Sequence, residues 1–316
     1  MDILISLAKI VLGFILLIKG ADFFVDGSAA VAKKLGVPEI VIGLTIVAMG
    51  TSAPEAAVSI SAAVRGNNGI SIGNVLGSNI MNILLILGIT AMIITLKVKE
   101  DTVRVDIPFM IFSTILLVVW GMVGGKLTRI TGIVFLVLLF SYLGYLLWYS
   151  KKNQVDEEPE ETKDVKVWLI PIFILGGLAA IIFGSNITVG GASTIAKIFG
   201  VSDRIIGLTV VAFGTSLPEL VTSVTAAKKG SADLAIGNIV GSNLFNILFI
   251  LGITGVIMDL PYKASGANFT LDGFVALHAA ILLFAFTFKN KKLGKIGGGA
   301  FLISYAVYFV YLLVAR

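Results

Sequence analysis

Residues Gly20 to Thr90 match residues Gly184 to Thr254 without a gap, at an offset of 164, and 36 of the 71 aligned positions are identical. A duplication of that length in a chain of 316 residues means that one structural unit is built twice. The chain is 57% apolar and 14% charged, too poor in polar residues to cover the surface of a water-soluble domain, so the bilayer is its solvent. Apolar stretches of spanning length recur throughout, and ten crossings are predicted: 3–30, 38–64, 70–95, 106–124, 128–149, 167–195, 202–227, 233–258, 270–288 and 297–315. Five lie in each half. Five is odd, so the second copy must cross the membrane in the opposite sense to the first, the inverted-repeat plan of secondary transporters.

The expected fold is therefore an all-α integral membrane protein. Its ten transmembrane helices form two inverted five-helix repeats, 1–149 and 167–316, with helices 2, 3, 7 and 8 broken. Between them, residues 150–166 (SKKNQVDEEPEETKDVK) form a charged run without apolar periodicity, read as a solvated linker too short for a soluble domain. It lacks the alternating ligands and turn glycine of a calcium loop. The N-terminus has no basic segment ahead of a short apolar core, so the first helix is expected to stay in place. Of the 24 Lys and Arg residues, fifteen fall on one set of loops and seven on the other. The excess marks the cytoplasmic side. Both termini are then extracellular and the linker cytoplasmic, in a multi-pass protein of the cell membrane. No basic face stands apart from these loops, which excludes a nucleic-acid partner.

Two acids inside the apolar spans set the chemistry, because an ionisable group at the bilayer centre costs about 2.5–3.5 kcal/mol on insertion scales. Glu55 and Glu219 close the motifs GTSAPE (Gly50 to Glu55) and GTSLPE (Gly214 to Glu219). Shared ancestry explains the duplication but not the survival of both acids while about half of the aligned positions drifted. Each Glu follows a proline, Pro54 or Pro218, which removes an amide and pushes against the carbonyl four residues back, at Gly50 or Gly214. The break frees carbonyls that a desolvated cation can satisfy. Thr51 and Thr215, four residues before each Glu and so on its helical face, offer hydroxyl and carbonyl oxygens. Ser52 and Ser216 of the same motif join the candidate ligands.

GNVLGSNIMN (Gly73 to Asn82) and GNIVGSNLFN (Gly237 to Asn246) supply a second paired element. Asn74, Ser78 and Asn82 recur at i, i+4 and i+8, as do Asn238, Ser242 and Asn246, giving each helix an inward polar stripe. Gly73 with Gly77, and Gly237 with Gly241, have the spacing that lets helix backbones approach. Oxygen ligands without sulfur or imidazole point to a hard ion, Ca²⁺ or Na⁺, rather than zinc or copper. There is no cysteine, and the one histidine, His278, builds no metal site. Two carboxylates neutralise one Ca²⁺. The emptied cage would repel itself, so Na⁺ or protons must replace the calcium on the return stroke, which is antiport.

Gly13, Gly20 and Gly27 recur every seven residues in the first helix, and Gly177, Gly184 and Gly191 in the sixth. They suggest a smooth face on which these helices slide over the ion-binding core, against the plainer alternative of static close packing. Asp22 and Asp26 have Asn186 and Gly190 as counterparts and receive no role. A passive cation channel is a rival reading, since the same oxygens could line a pore. An enzyme is not expected: the chain has no Ser-His pairing, no His pair for a metal and no nucleotide loop.

These paired elements resemble the two alpha-repeats of the calcium/cation antiporter superfamily, and within it the sodium/calcium exchangers of prokaryotic type, over nearly the whole chain. The resemblance implies electrogenic extrusion of Ca²⁺ against inward Na⁺ by alternating access. It implies Glu55 and Glu219 as shared ligands with Thr51 and Thr215 beside them. Ser78 and Ser242, with the Ala48 and Ala212 carbonyls, would form outer sodium sites, and Asn82 and Asn246 would line the centre. The transported ions and the bilayer are the implied partners, with no cofactor and no obligate protein partner. Some relatives, including potassium-dependent exchangers, carry Asp where this chain has Asn246, and proton-coupled relatives tend to have Asn where it has Pro54 and Pro218. Sodium coupling without potassium is thus the expectation, with proton-coupled or potassium-dependent antiport as the alternatives.

Overall fold

The computed structural model describes residues 2–65, 68–152, 165–200, 212–264 and 267–315. The first half carries α1 (Asp2–Leu35), α2 (Glu39–Thr51), α3 (Ala53–Val64), α4 (Ile70–Ile93), α5 (Thr102–Gly124) and α6 (Arg129–Lys152). The second carries α7 (Val167–Ile198), α8 (Ala212–Thr215), α9 (Leu217–Lys228), α10 (Ala232–Ile257), α11 (Thr270–Phe288) and α12 (Lys295–Ala315). Among the described residues, eight helices are long and apolar enough to cross a bilayer, and α2 with α3, bent by 50° at their junction, is long and apolar enough when the two are taken together. Of the predicted crossing 202–227, residues 202–211 lie outside the described residues, and α8 and α9 are its described part. Most of the linker, 153–164, also lies outside them.

The breaks fall where proline puts them in two helices and not in the other two. Pro54 and Pro218 occupy the first turns of α3 and α9, where a missing amide leaves no bond unmade. The residues before those helices, Ser52 (φ −82°, ψ 7°) and Ser216 (φ −93°, ψ 3°), leave helical geometry. The third and eighth crossings, expected to be broken, run through as α4 and α10. Neither contains proline, and each instead widens into a π turn, over Met81–Leu87 and Asn246–Ile250. A π turn re-aims side chains without severing the helix.

Burial sorts the helices into a core and a lipid-facing shell. α4 and α10 are buried along most of their length, with Ile72, Leu76, Ile80, Ile239, Val240 and Leu248 fully enclosed. α1 and α7 present Leu4, Ile15, Phe183 and other large apolar side chains outward, as a face wetted by lipid requires. These two helices pack on each other through their glycines: a Cβ on Gly20 would lie 2.8 Å from the Gly177 carbonyl oxygen, and one on Gly184 2.7 Å from that of Gly13. The glycine stripes therefore face one another. They are not the surface on which α1 and α7 meet the core, and the sliding face inferred from them is corrected to a close backbone seam.

Short strands bind the two halves at the loops. β1 (Leu96–Lys97) and β2 (Lys126–Leu127) belong to the first half; β3 (Leu260–Pro261), β4 (Lys263–Ala264), β5 (Ala267–Asn268) and β6 (Lys292–Leu293) belong to the second. β1 pairs with β6 and β2 with β3, both antiparallel, while β4 and β5 form a hairpin. Two buried Asp–Tyr pairs add ties between neighbouring helices: Tyr142 Oη donates to Asp106 Oδ1 at 2.8 Å, and Tyr308 Oη to Asp272 Oδ1 at 2.7 Å. These pairs stand 166 residues apart, so a gapless comparison at 164 passes over them.

Candidate functional site

Breaking the helix at Ser52 and Ser216 brings Glu55 and Glu219 into the first turns of α3 and α9, both 1% exposed. Each carboxylate is met by the hydroxyls of the other motif. Ser52 Oγ donates to Glu219 Oε1 at 3.0 Å and Ser216 Oγ to Glu55 Oε1 at 3.4 Å. Thr51 likewise lies against Glu219, and Thr215 against Glu55. The Thr51 hydroxyl also faces Asn238 Oδ1 at 3.0 Å and its own helix carbonyl, Val47 O, at 3.1 Å.

The two stripes on α4 and α10 divide their work. Asn74 Nδ2 donates to the Glu55 main-chain carbonyl at 3.2 Å and to Ser59 Oγ at 2.9 Å; Asn238 Nδ2 does the same to Glu219 O at 3.3 Å and Ser223 Oγ at 2.9 Å. With Thr51 on its Oδ1, Asn238 is satisfied by protein groups. These two asparagines thus hold the start of the Glu-bearing helices in place. Ser78 is 5% exposed and Ser242 fully buried, with Ser242 Oγ 3.5 Å from Ala48 O. The Ala212 main chain lies at the start of α8, and its side chain is outside the described residues. Gly237 and Gly241 do pack closely: a Cβ on Gly237 would lie 2.9 Å from Gly43 Cα, and one on Gly241 2.8 Å from Leu44 O.

Asn82 and Asn246 are buried, 1% and 0% exposed, in the π turns of α4 and α10. Their side-chain amides donate across the interface, Asn82 Nδ2 to Asn243 Oδ1 at 3.1 Å and Asn246 Nδ2 to Asn79 Oδ1 at 3.0 Å. Asn79 and Asn243 belong to both GSN triplets, but at i+1 after the serine they stand off the polar stripe, so the helical spacing does not single them out.

Two other partners were not legible. Ser185 of α7 donates to the Gly214 carbonyl at 2.5 Å, taking an oxygen that Pro218 frees; its counterpart in the first copy is Ala21, so the duplication gave no signal. Lys229, just beyond α9, bonds Asp26 Oδ1 at 2.6 Å and Asp22 O at 2.8 Å, which gives the two unassigned acids a partner. No group of three or more His, Cys, Asp or Glu side chains gathers among the described residues. The centre thus offers two carboxylates among neutral oxygens, and four of those oxygens, Glu55 Oε2, Glu219 Oε2, Asn82 Oδ1 and Asn246 Oδ1, are buried without a hydrogen-bond donor. That donor set suits a hard cation and leaves no place for a soft one.

The chain matches the family described as sodium/calcium exchanger protein over residues 5–148 and 169–314. It is 38% identical to a putative antiporter, CaxA, of Alkalimonas amylolytica, across 98% of this chain and 99% of that protein. Against the sodium/calcium exchanger MaX1 of Methanosarcina acetivorans it is 33% identical, across 90% and 92%. The solved structure of the sodium-calcium exchanger NCX_Mj soaked with Na⁺ and Sr²⁺ superposes with a TM-score of 0.84 at 35% identity, covering 99% of both chains.

Proposed function

This chain belongs to the sodium/calcium exchanger family and is a multi-pass membrane antiporter of Na⁺ and Ca²⁺, and from that premise we propose how its own residues hold the two ions. The observation that carries the proposal is the set of four buried, donor-free oxygens between α3, α4, α9 and α10. A buried polar atom left unsatisfied costs about 1–3 kcal/mol, and more when it is charged. A cation placed among them removes that cost.

Ca²⁺ is held between Glu55 and Glu219, whose two charges balance its own. Asn82 and Asn246 supply carbonyl oxygens, and Thr51, Thr215, Ser52 and Ser216 lie close enough to turn hydroxyl oxygens toward it. Ser78 and Ser242, with the Ala48 and Ala212 carbonyls, serve Na⁺ further from the centre; the approach of Ser242 Oγ to Ala48 O supports the first of these pairs. Asn74 and Asn238 position the helices and do not ligate. Without a cation the two carboxylates repel in a low-dielectric interior, so Na⁺ must replace Ca²⁺ before the site can turn over. Asn246 is neutral where a third acid would stand, which favours Na⁺ coupling without K⁺. No cofactor, protein partner or enzymatic step is needed for this cycle.

The two copies act as inverted repeats around this centre, with α1 and α7 moving as a joined pair to expose it to either side. The bias of basic loops supports extracellular termini and a cytoplasmic linker at 150–166. At three Na⁺ for one Ca²⁺, each cycle carries one net charge, worth about 2.3 kcal/mol per 100 mV. Proteoliposomes loaded with Na⁺ and diluted into Na⁺-free buffer should take up ⁴⁵Ca²⁺, faster with the interior positive. Uptake that ignores Na⁺ and follows pH would overturn the coupling, and flux that needs no counter-ion would make the protein a channel.

A further inference from the structure

Each of the two central asparagines can present either end of its amide to the ion, and only one end is useful. The carbonyl oxygen attracts a cation; the amino group, turned the same way, repels it. The side chains are the same shape in both settings, so something must decide between them.

The hydrogen bonds around Asn79 and Asn243 contain that decision. Asn243 Nδ2 donates to the main-chain carbonyl of Asn79, and Asn79 Nδ2 to that of Asn243, both at 3.2 Å. A main-chain carbonyl can only accept, so these contacts fix which end of each amide is nitrogen. Asn243 Oδ1 must then face Asn82, and Asn79 Oδ1 must face Asn246. An oxygen facing each of them draws in their amino groups, at 3.1 and 3.0 Å. That leaves Asn82 Oδ1 and Asn246 Oδ1 turned inward, and those are two of the four buried oxygens without a donor. All four residues are at most 3% exposed, so water offers no competing orientation.

We propose that Asn79 and Asn243 are positioning residues that lock the Asn82 and Asn246 amides with their oxygens toward the transported cation, each lock crossing from one repeat to the other. This rests on Asn82 and Asn246 being ligands, as set out above. The locks are independent of each other, because a side-chain substitution at 243 leaves its main-chain carbonyl in place for Asn79. Asn243 therefore governs Asn82, and Asn79 governs Asn246, while the within-repeat combinations are uncoupled.

Na⁺-driven ⁴⁵Ca²⁺ exchange in proteoliposomes, read as the KM for Ca²⁺, tests this. Asn82→Ala and Asn246→Ala come first: if both leave KM unchanged, their assignment as ligands fails and the lock has nothing to act on. With that assignment upheld, Asn243→Leu should raise KM about tenfold, the upper end of what one hydrogen bond between neutral groups contributes. Adding Asn82→Asp should restore it, since a carboxylate offers oxygen in either orientation. The same Asn82→Asp added to Asn79→Leu should give no such rescue, and Asn246→Asp should rescue Asn79→Leu alone. A merely structural role for Asn243 predicts equal, additive effects in all four combinations, and that result would overturn the lock while leaving the ligand assignment standing. If a leucine variant fails to elute as a single species, Asn243→Ser or Asn79→Ser, whose hydroxyl is too short to reach the partner amide, carries the same expectation.

Discussion

Ser52 donates its hydroxyl to Glu219 Oε1 at 3.0 Å, whereas its counterpart Ser216 stands 3.4 Å from Glu55 Oε1. The two bonds are equivalent by position in the repeat and unequal in length. Each also joins a hydroxyl of one repeat to the carboxylate of the other, so neither repeat holds a complete half-site.

That inequality gives a directional test. Removing a hydrogen bond to a charged group costs about 1.5–3 kcal/mol, and the weaker contact should cost less. Ser52→Ala should lower the exchange rate by at least tenfold and Ser216→Ala by clearly less, measured as initial ⁴⁵Ca²⁺ uptake. Equal losses would mean that the difference in length has no functional weight.

Glu55→Gln and Glu219→Gln keep the shape of the side chain and remove one charge each. One remaining carboxylate cannot balance Ca²⁺ in a sealed centre, so exchange should stop in both variants, and titration calorimetry with Ca²⁺ should show no binding heat. Normal flux in either variant would sink the cage.

The seam between α1 and α7 leaves no room for a side chain at Gly20 or Gly184. Gly20→Leu and Gly184→Leu should each destabilise the protein by about 1–3 kcal/mol, as overpacking does, seen as a lower melting temperature. Exchange should slow, while the rise in melting temperature on adding Ca²⁺ should persist, because the seam lies away from the ion ligands. Loss of that Ca²⁺-dependent rise would tie the seam to the site itself.

Lys229 links the end of α9 to α1 through Asp26, with Lys229 27% and Asp26 14% exposed at the side chain. Such a partly screened pair is worth about 1 kcal/mol or less. Lys229→Gln and Asp26→Asn should each lower stability by about that amount, and the double variant by less than the sum of the two. Strict additivity in a thermal or denaturant series would show that the two charges do not interact.

Much of this protein was readable in one dimension. The apolar spans required a bilayer, and the pairing of Glu55 with Glu219 at the offset of 164 marked the two acids. Pro54 and Pro218 located two real breaks. The breaks expected in the third and eighth helices did not form, because polar residues alone do not remove a backbone hydrogen bond, and the chain accommodates Asn82 and Asn246 in π turns instead. Lys229 and Ser185 gave no advance signal: their partners Asp26 and Gly214 lie on other segments, and the counterpart of Ser185 in the other repeat is Ala21, which has no hydroxyl.

By itself the sequence determined the solvent, the duplication and the hard-oxygen character of the site, since these follow from composition and from spacing along a helix. The tertiary structure decided which groups meet. A helical period says which side chains share a face, but not which helix that face opposes. Only the packed fold sets Ser52 against Glu219, closes the glycine stripes of α1 and α7 on each other, and turns Asn82 Oδ1 inward through Asn243.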